Sequence, residues 1–340
     1  MLKLTEFDYP LPQELIAQYP LENREAARLL IVNRKTGTIS HGVFKDIIGF
    51  FRKNDLLVLN DTKVLLCRLM GNKITGGRVE ILLTRRISGT VFSCLVQPSR
   101  TKVGEKIIFA SGSITGILSS RGQISFKQSD AEVIYSFGIV PLPPYIKRAP
   151  EDLDAVYYQT VYAKNEGALA SPTAGLHFTQ ELLKQISSAG VNLAYLTLHV
   201  GLGTFRPVRC ENITEHKMEA EYFLIPDATI AALSRVGADK GRIMAVGTTS
   251  LRALETYASG RKEGNTDLFI YPGYKFALVD CLLTNFHLPM TTLFMLVCAF
   301  CAAGASASGR GGKELMLKAY QEAVDKKYRF YSYGDAMLII

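Results

Sequence analysis

The sequence predicts an α/β protein, with one discontinuous α/β domain and an inserted antiparallel β-barrel domain. Strand-like apolar runs alternate with helical patterns in residues 1–62 and 147–340. Between them, residues 63–146 hold many short alternating segments separated by Gly-rich turns, which is typical of a small barrel. The first 62 residues are too short to form a domain alone, so the barrel is the insertion.

The N-terminal part is expected to contribute short strands and one helix. Short, mainly apolar runs bounded by polar turn residues predict buried strands over residues 28–33 and 55–60. The barrel strands are expected in the runs GRVEILLTRR, TVFSCLVQP, EKIIFA, SITGILSS and GQISFK. Pro141, Pro143 and Pro144 mark the end of this segment.

The C-terminal part returns to alternating helices and strands. Thr179 is the predicted N-cap of a helix over residues 179–189 that Gly190 ends, and a strand follows over 191–199. Asp227 is the predicted N-cap of the next helix. The remaining predicted elements are strands 242–246, 268–271 and 280–286, and helices 250–259, 291–301 and 313–327.

Composition and charge limit the functional classes. The chain has 340 residues, 48% of them apolar, which suits a globular protein of about two domains. Its formal charge of +8 favours contact with phosphate backbones, although many soluble proteins are mildly basic. Because there is no long Lys/Arg run, the fold must assemble any basic surface.

The sequence predicts a cytoplasmic protein. The N-terminus lacks the apolar core and cleavage site of a secretory signal. The longest apolar run, 288–303, is shorter than the roughly 20 residues of a membrane span and predicts a buried helix. Cys298 and Cys301 lie in that helix without a second cysteine pair, so packing is favoured over a metal or redox role.

Four polar loops adjoin predicted strands, where ligands of α/β proteins bind. Residues 171–178 end near His177 at a helix N-terminus, which can hold an anion. Gly201 and Gly203 allow close approach to a ligand. Arg206 stands where a GxGxxG motif has its last glycine, so a Rossmann loop is poorly supported. Each loop is also compatible with an ordinary turn.

The other two loops carry hydroxyl, amide and imidazole groups. Thr248, Thr249 and Arg252 start a helix and are able to bind a carboxylate or phosphate, or simply to cap the helix. Asn285 and His287 are two residues apart, so they face one way in an extended chain. Four of the five histidines fall in such polar segments, and this clustering favours an active site.

The fifth segment contains His216, Glu219 and Glu221. Without a second histidine nearby, acid–base chemistry is favoured over a metal site.

Ten ordered segments resemble one known family: FDYPLPQELIAQYP, NDTKV, GGRVEILL, PLPPYI, YQTVYA, SPTAGLHFT, LHVGLGTFRPV, GTTSLRALE, LTNFHLP and YRFYSYGDAMLI. They are similar to the S-adenosylmethionine:tRNA ribosyltransferase-isomerases of queuosine biosynthesis. The resemblance implies transfer and isomerisation of the ribosyl part of S-adenosylmethionine onto 7-aminomethyl-7-deazaguanine at the tRNA wobble position. The implied products are epoxyqueuosine-tRNA, adenine and methionine. It implies S-adenosylmethionine as co-substrate, and no cofactor, metal or membrane.

The chain departs from the family pattern at several positions. Ser171 stands where alanine is frequent, and Glu219 stands where a second histidine is usual. Met290 replaces a commonly charged residue, and the loop over residues 302–312 is longer. The chemical role of Glu219 therefore stays open.

The expected site combines the polar segments. Candidate acids and bases are His177, His199, His216, His287, Glu219 and Glu221. Expected substrate-binding residues are Thr173, Gly175, Phe178, Gly201, Gly203, Thr204, Phe205, Arg206, Gly247, Thr248, Thr249, Arg252, Asn285 and Phe286. Among these, Phe178, Phe205 or Phe286 would contact the sulfonium, and Thr248, Thr249 and Arg252 would hold the methionine carboxylate.

Two other classes remain as alternatives. An RNA-binding barrel without catalysis does not explain the clustered histidines and glycine loops. A methyltransferase with the same co-substrate does not explain the missing GxGxxG motif. Tyr331 and Tyr333 are expected to pack in the fold rather than to stack on bases.

Overall fold

The structure is a computed structural model that describes residues 2–127, 130–201, 203, 207–303 and 311–340. Its strands, in chain order, are β1 Arg28–Asn33, β2 Thr38–Val43, β3 Leu56–Asn60, β4 Thr62–Val64, β5 Arg68–Lys73, β6 Arg78–Ser88, β7 Val91–Gln97, β8 Lys106–Phe109, β9 Ile114–Ser120, β10 Gln123–Phe126, β11 Asn165–Ala168, β12 Asn192–Leu198, β13 Glu221–Leu224, β14 Ile243–Val246, β15 Glu263–Thr266, β16 Cys281–Asn285 and β17 Ala336–Ile339. Its α-helices are α1 Ala131–Ser136, α2 Asp152–Tyr157, α3 Gln180–Ser188, α4 Asp227–Val236, α5 Gly247–Ala258, α6 Thr292–Ala302 and α7 Gly311–Asp325.

A nine-stranded mixed sheet organises the molecule, in the order β15-β13-β12-β3-β14-β16-β17-β1-β2. The neighbours β12, β3, β14 and β16 are parallel, so their carboxyl ends lie at one edge of the sheet. Strands β3 and β14 are buried along their whole length, as strands covered on both faces require. β17 runs antiparallel to β16 and parallel to β1, and β2 completes that side.

Helices cover both faces of the sheet. Apolar residues of α4, α5, α6 and α7 form one core cluster, while α3 and the 3-10 helix Phe44–Phe50 contribute to a second. Cys298 and Cys301 are buried in α6, which confirms their predicted packing role. Across the described residues, no helix combines the length and apolar character needed to cross a membrane.

Strands β5 to β10 close into an antiparallel barrel in the order β10-β7-β6-β5-β8-β9. Burial alternates along β6, where Val79, Ile81 and Leu83 point inward, because successive side chains of a strand face opposite sides. These residues belong to a core of the barrel's own. The predicted fold class is confirmed, and the domain boundaries at residues 63 and 146 stay a prediction.

The chain passes from the nine-stranded sheet into the barrel at the carboxyl edge of the sheet. β3 ends at Asn60, and β4 follows at once and pairs with β11. Arg68, the first residue of β5, bridges to Ile139, where the chain returns. Leu169, directly after β11, is buried in the barrel core. The base of the barrel therefore lies beside the sheet edge where the parallel strands end.

Most predicted elements are present, and four expectations are wrong. Residues 2–62 contain four short 3-10 helices rather than the one expected helix. α5 begins at Gly247 rather than at residue 250. Asp227 is the first residue of α4 and does not cap it; it pairs instead with Lys262 at 3.0 Å. The apolar run 268–271 packs on the core without forming a strand, and the polar segment β15 pairs with β13. In addition, β17 has no predicted counterpart.

Candidate functional site

A cleft opens at the carboxyl edge of the sheet, where β14 and β16 end. Its cavity volume is about 60 Å³, and the cleft is partly open to solvent. Its walls come from residues 170–174, 247–249, 284–287 and 331–332, together with Tyr145, Val200 and Leu293. All four polar loops predicted from the sequence thus contribute to one cleft, the glycine loop through Val200.

Asn285 connects two of the predicted residues at one wall. Its side-chain oxygen accepts a hydrogen bond from the Thr173 hydroxyl at 2.9 Å. Its amide nitrogen lies 3.2 Å from Nε2 of His177. Because the amide NH₂ is a donor, Nε2 is the acceptor and the imidazole proton belongs on Nδ1. Thr173 and Asn285 line the cleft, whereas His177 lies behind Asn285 and borders a smaller neighbouring cleft with Arg24.

His287 is held firmly at another wall of the cleft. Its Nε2 lies 2.9 Å from the Thr284 hydroxyl, and its backbone N–H donates to the Tyr320 hydroxyl at 3.0 Å. Its carbonyl oxygen accepts a hydrogen bond from the Tyr9 hydroxyl. These contacts fix both the backbone and the ring, so the imidazole of His287 has a fixed position at the wall of the cleft.

Both deeply buried histidines are uncharged at neutral pH. Burial lowers the pKa of His177 to about 3, and the charges of Arg24 and Arg329 act in the same direction. Burial alone lowers the pKa of His287 to about 3. Asp, Glu, Lys and Arg are absent from the described residues that line the cleft. The cleft therefore offers polar groups without a fixed charge.

These shifts predict a loss of stability in mild acid. The folded-state pKa values lie below the usual value of about 6.5, so the unfolded chain takes up protons first as the pH falls. Each histidine should reduce the free energy of unfolding by roughly 2 kcal/mol between pH 6.5 and 5. Urea unfolding of His177→Gln and His287→Gln should give shallower pH dependence. His41→Gln, on β2 outside the cleft, is the control, and unchanged slopes for both cleft variants would contradict the expectation.

The amino end of α5 forms a further wall. Gly247 has φ +86°, a conformation that favours glycine, and turns the chain from β14 into the helix. Thr248 and Thr249 follow and line the cleft. The Asn60 amide donates to the Thr249 hydroxyl at 3.2 Å and to the carbonyl of Leu198 at 3.0 Å, which ties three strand ends together. Free N–H groups at the start of this helix suit an anion.

Several cleft residues were not among the predicted site residues, and three of them carry hydroxyl groups of interest: Tyr145, Ser171 and Ser332. The Ser171 hydroxyl is buried and has no hydrogen-bond partner within the described part of the chain. Tyr145 and Ser332 share a hydrogen bond between their hydroxyl groups. Tyr145 and Ser332 belong to segments that the family resemblance includes, PLPPYI and YRFYSYGDAMLI. Only the fold brings these distant segments to the cleft.

Arg252 and Glu221 form a buried ion pair, and Arg252 is not among the described residues that line the cleft, so its carboxylate-binding role stays a prediction. Nη1 of Arg252 donates to Glu221, and its Nε donates to the carbonyl of Leu268 at 3.0 Å. The other carboxylate oxygen of Glu221 accepts from the backbone N–H of Gly201 at 2.8 Å. The pair therefore anchors the glycine loop to α5 and β13.

His199 is partly buried beside the cleft rather than in its lining. Its Nδ1 lies 2.8 Å from the Thr62 hydroxyl, and its ring stacks on Tyr222. A Cβ on Gly167 would come within 2.7 Å of the ring, so glycine is needed there. Burial lowers the pKa of His199, and the charge of Asp61 opposes that shift.

His216 and Glu219 line a separate cleft that also includes Gly203. The structure does not join them to the first cleft. Burial lowers the pKa of His216. Thr204, Phe205 and Arg206, as well as most of the predicted 302–312 loop, lie outside the described residues.

The remaining predicted residues have mixed placements. Phe286 borders the cleft, although its ring is buried against Phe330. Phe178 is fully buried in the core against Phe44, which contradicts a sulfonium contact there. Gly175 packs against Tyr162, whose hydroxyl leaves no room for a side chain.

Two further observations concern the same region. Tyr331 and Tyr333 are buried, which confirms the packing prediction, and Tyr333 donates to Asp154 at 2.7 Å. Within the described ranges, His, Cys, Asp and Glu side chains do not form a group of three suited to a metal ion.

Comparisons with known proteins agree with the resemblance. The chain matches the family model described as queuosine biosynthesis protein over residues 4–339. It is 49% identical to the S-adenosylmethionine:tRNA ribosyltransferase-isomerase of Sulfurihydrogenibium sp. over 346 residues, and 45% identical to that of Aquifex aeolicus over 344 residues, with full coverage of each chain. A crystal structure of S-adenosylmethionine tRNA ribosyltransferase from Thermotoga maritima is 36% identical, with TM-score 0.57, covering 98% of this chain and 100% of that chain.

Proposed function

Because the chain belongs to the queuosine biosynthesis family of S-adenosylmethionine:tRNA ribosyltransferase-isomerases, we propose that it transfers and isomerises the ribosyl moiety of S-adenosylmethionine onto tRNA. The acceptor is 7-aminomethyl-7-deazaguanine at the wobble position. The products are epoxyqueuosine-tRNA, adenine and methionine. The proposed setting is the cytoplasm, and S-adenosylmethionine is consumed as a co-substrate.

The observation that carries this proposal is a cleft at the carboxyl edge of the sheet whose described lining is mainly apolar, with hydroxyl, amide and imidazole groups but no charged side chain. S-adenosylmethionine has a positive sulfonium, which a charged histidine would repel. The pKa of His287, lowered to about 3, keeps that ring neutral. Phe286 borders the same space, but its ring is fully buried against Phe330, so the proposal includes no cation–π contact from it.

The start of α5 suits the carboxylate of the methionine part. Gly247, Thr248 and Thr249 line the cleft at the positive end of this 12-residue helix. Their N–H groups and the Thr248 hydroxyl are the donors in this proposal. Arg252 is not needed for the contact, because its guanidinium already binds Glu221.

The chemistry requires a base and an acid within reach of the ribose. The base removes a proton from the ribose carbon next to the sulfonium, and ring opening then expels adenine, which leaves more easily after protonation. The acceptor amine attacks the resulting fragment, and an epoxide closes as the carbon–sulfur bond to methionine breaks. His287 borders the cleft, while His177 and His199 lie next to its walls; these three are the proposed acid–base candidates.

The tRNA must present its wobble base to this cleft. Bases in single-stranded loops are unstacked and accessible, so an anticodon-loop base is able to enter a pocket without opening a duplex.

The test is an assay with acceptor tRNA and S-adenosylmethionine labelled in the ribose. The expected result is label in the tRNA together with free adenine and methionine. Release of S-adenosylhomocysteine would indicate methyl transfer instead. Binding of tRNA without turnover would indicate an RNA-binding protein.

Thr248→Val is expected to weaken S-adenosylmethionine binding about 10- to 150-fold, since a hydrogen bond to a charged group is worth about 1.5–3 kcal/mol. Calorimetry without tRNA measures this directly. Thr256→Val is the matched control on the same helix, because its hydroxyl bonds to Arg252 and Thr266 rather than facing the cleft. Equal affinity of both variants and the unmodified protein would exclude the carboxylate contact at Thr248.

A further inference from the structure

The positive charge of the chain is concentrated in the barrel. Residues 68–127 contain ten Lys and Arg but only two acidic residues, Glu80 and Glu105. The other 280 residues contain 29 basic and 29 acidic residues. The whole formal charge of +8 therefore comes from this one segment.

The barrel's own acids offset little of that charge on its surface. Glu80 lies 3.2 Å from Arg68, and Glu105 lies 3.7 Å from Lys73. The other eight basic side chains are exposed; they are Arg78, Arg85, Arg86, Arg100, Lys102, Lys106, Arg121 and Lys127. Exposed cations without neighbouring carboxylates attract polyanions.

Strand register gathers most of these cations at one end of the barrel. Arg78 follows the β5–β6 turn that begins at Lys73. β8 pairs with β5 so that Lys73 is opposite Ile107, which places Lys106 beside it. The segment that leads into β8 carries Arg100 and Lys102.

The β9–β10 hairpin adds a further cation to the same end. The Gly104 N–H donates to the carbonyl of Leu118 at 2.8 Å, and Arg121 lies at the tip of this hairpin. We call this end the basic rim. It consists of Lys73, Arg78, Arg100, Lys102, Lys106 and Arg121.

The basic rim lies away from the sheet, while the barrel base adjoins the cleft. Leu169 is buried in the barrel core, and Ala170 and Ser171 directly after it line the cleft. β5 runs from Arg68 at the base to Lys73 at the rim, about 17 Å at 3.3 Å per residue. A polynucleotide with one base in the cleft is long enough to reach the rim.

We infer that the basic rim binds the sugar–phosphate backbone of the tRNA whose wobble base enters the cleft. This inference rests on the proposed function. Lys and Arg side chains on turns bind phosphates regardless of base identity and position the RNA, while the cleft selects the base. The rim thus supplies affinity for tRNA, and the reacting groups lie elsewhere.

The test compares two triple variants that remove equal charge. The rim variant is Arg78→Gln/Arg100→Gln/Lys102→Gln. The control is Arg52→Gln/Lys53→Gln/Arg235→Gln, three exposed cations in the α/β part near the amino ends of β3 and β14. Affinity for acceptor tRNA is measured between 50 and 200 mM salt, and affinity for S-adenosylmethionine is measured separately.

For the rim variant, tRNA binding is expected to weaken about tenfold or more. The slope of log K against log salt should become shallower by about 2–3, because fewer counterions are released. S-adenosylmethionine affinity and turnover at saturating tRNA should stay unchanged. Equal tRNA affinity and salt slope in the rim variant and control would overturn the inference. If the unmodified protein binds tRNA through the rim but incorporates no ribose label, the proposed function fails and the rim assignment stands.

Discussion

Replacing Arg252 by methionine is expected to lower the free energy of unfolding by about 3–5 kcal/mol. The guanidinium and the Glu221 carboxylate are both about 3% exposed, so removing one leaves the other as an uncompensated buried charge. Urea unfolding at neutral pH measures the loss. S-adenosylmethionine binding by the folded variant should change little, because Arg252 lies outside the cleft lining.

Two further variants separate this explanation from general damage. Lys262→Met breaks an exposed pair with Asp227, whose side chain is 86% exposed, and should leave stability essentially unchanged. Glu221→Gln/Arg252→Met removes both charges and should be less destabilised than the sum of the single changes. If Arg252→Met kept full stability but lost S-adenosylmethionine affinity, the ligand-binding role predicted from the sequence would be supported.

Asn285→Leu is expected to reduce turnover at least a hundredfold. This change keeps the approximate volume but removes the groups that hold the Thr173 hydroxyl and the His177 ring. A displacement of about 1 Å in a reacting group is sufficient for a loss of that size. Single-turnover transfer of the ribose label to tRNA measures the effect without interference from product release. Asn285 is thus a positioning residue in this scheme.

Loss of stability must be distinguished from loss of positioning. Buried partners left without hydrogen bonds cost about 1–3 kcal/mol, so Asn285→Leu will also melt earlier. Thr256→Val breaks two buried hydroxyl contacts elsewhere and serves as the reference for that cost. Turnover of Asn285→Leu within a factor of about three of the reference would refute the positioning role.

The sequence predicted the architecture because patterning alone separates its two parts. Short alternating runs between glycine turns identified the barrel, and continuous apolar runs identified β3 and β14. The same logic failed at 268–271, since an apolar run predicts burial but not pairing. The strand that completes this edge, β15, is polar and gives no such signal.

The candidate site was predictable in outline but not in its roles. Loops at strand ends meet at one edge in any parallel sheet, so Thr173, Thr248 and Asn285 could be grouped in advance. Arg252 looked equally suitable because it is close to Thr248 in sequence, and only the fold reveals its partner Glu221, 31 residues away. Likewise, burial and not residue type makes His177 a neutral group.

The position of β17 affects the order in which the sheet can form during synthesis as well as the pairing in the finished sheet. β1 and β2 join the nine-stranded sheet only through β17, and Leu29 is opposite Ala336. At about 5–20 residues per second, a ribosome needs roughly 15–60 s to synthesise the intervening chain. During that time the apolar strand β1 has β2 as a neighbour on one side but lacks β17 on the other, so one of its edges stays open. A chain that ends before residue 336 would therefore expose an open, aggregation-prone edge of β1.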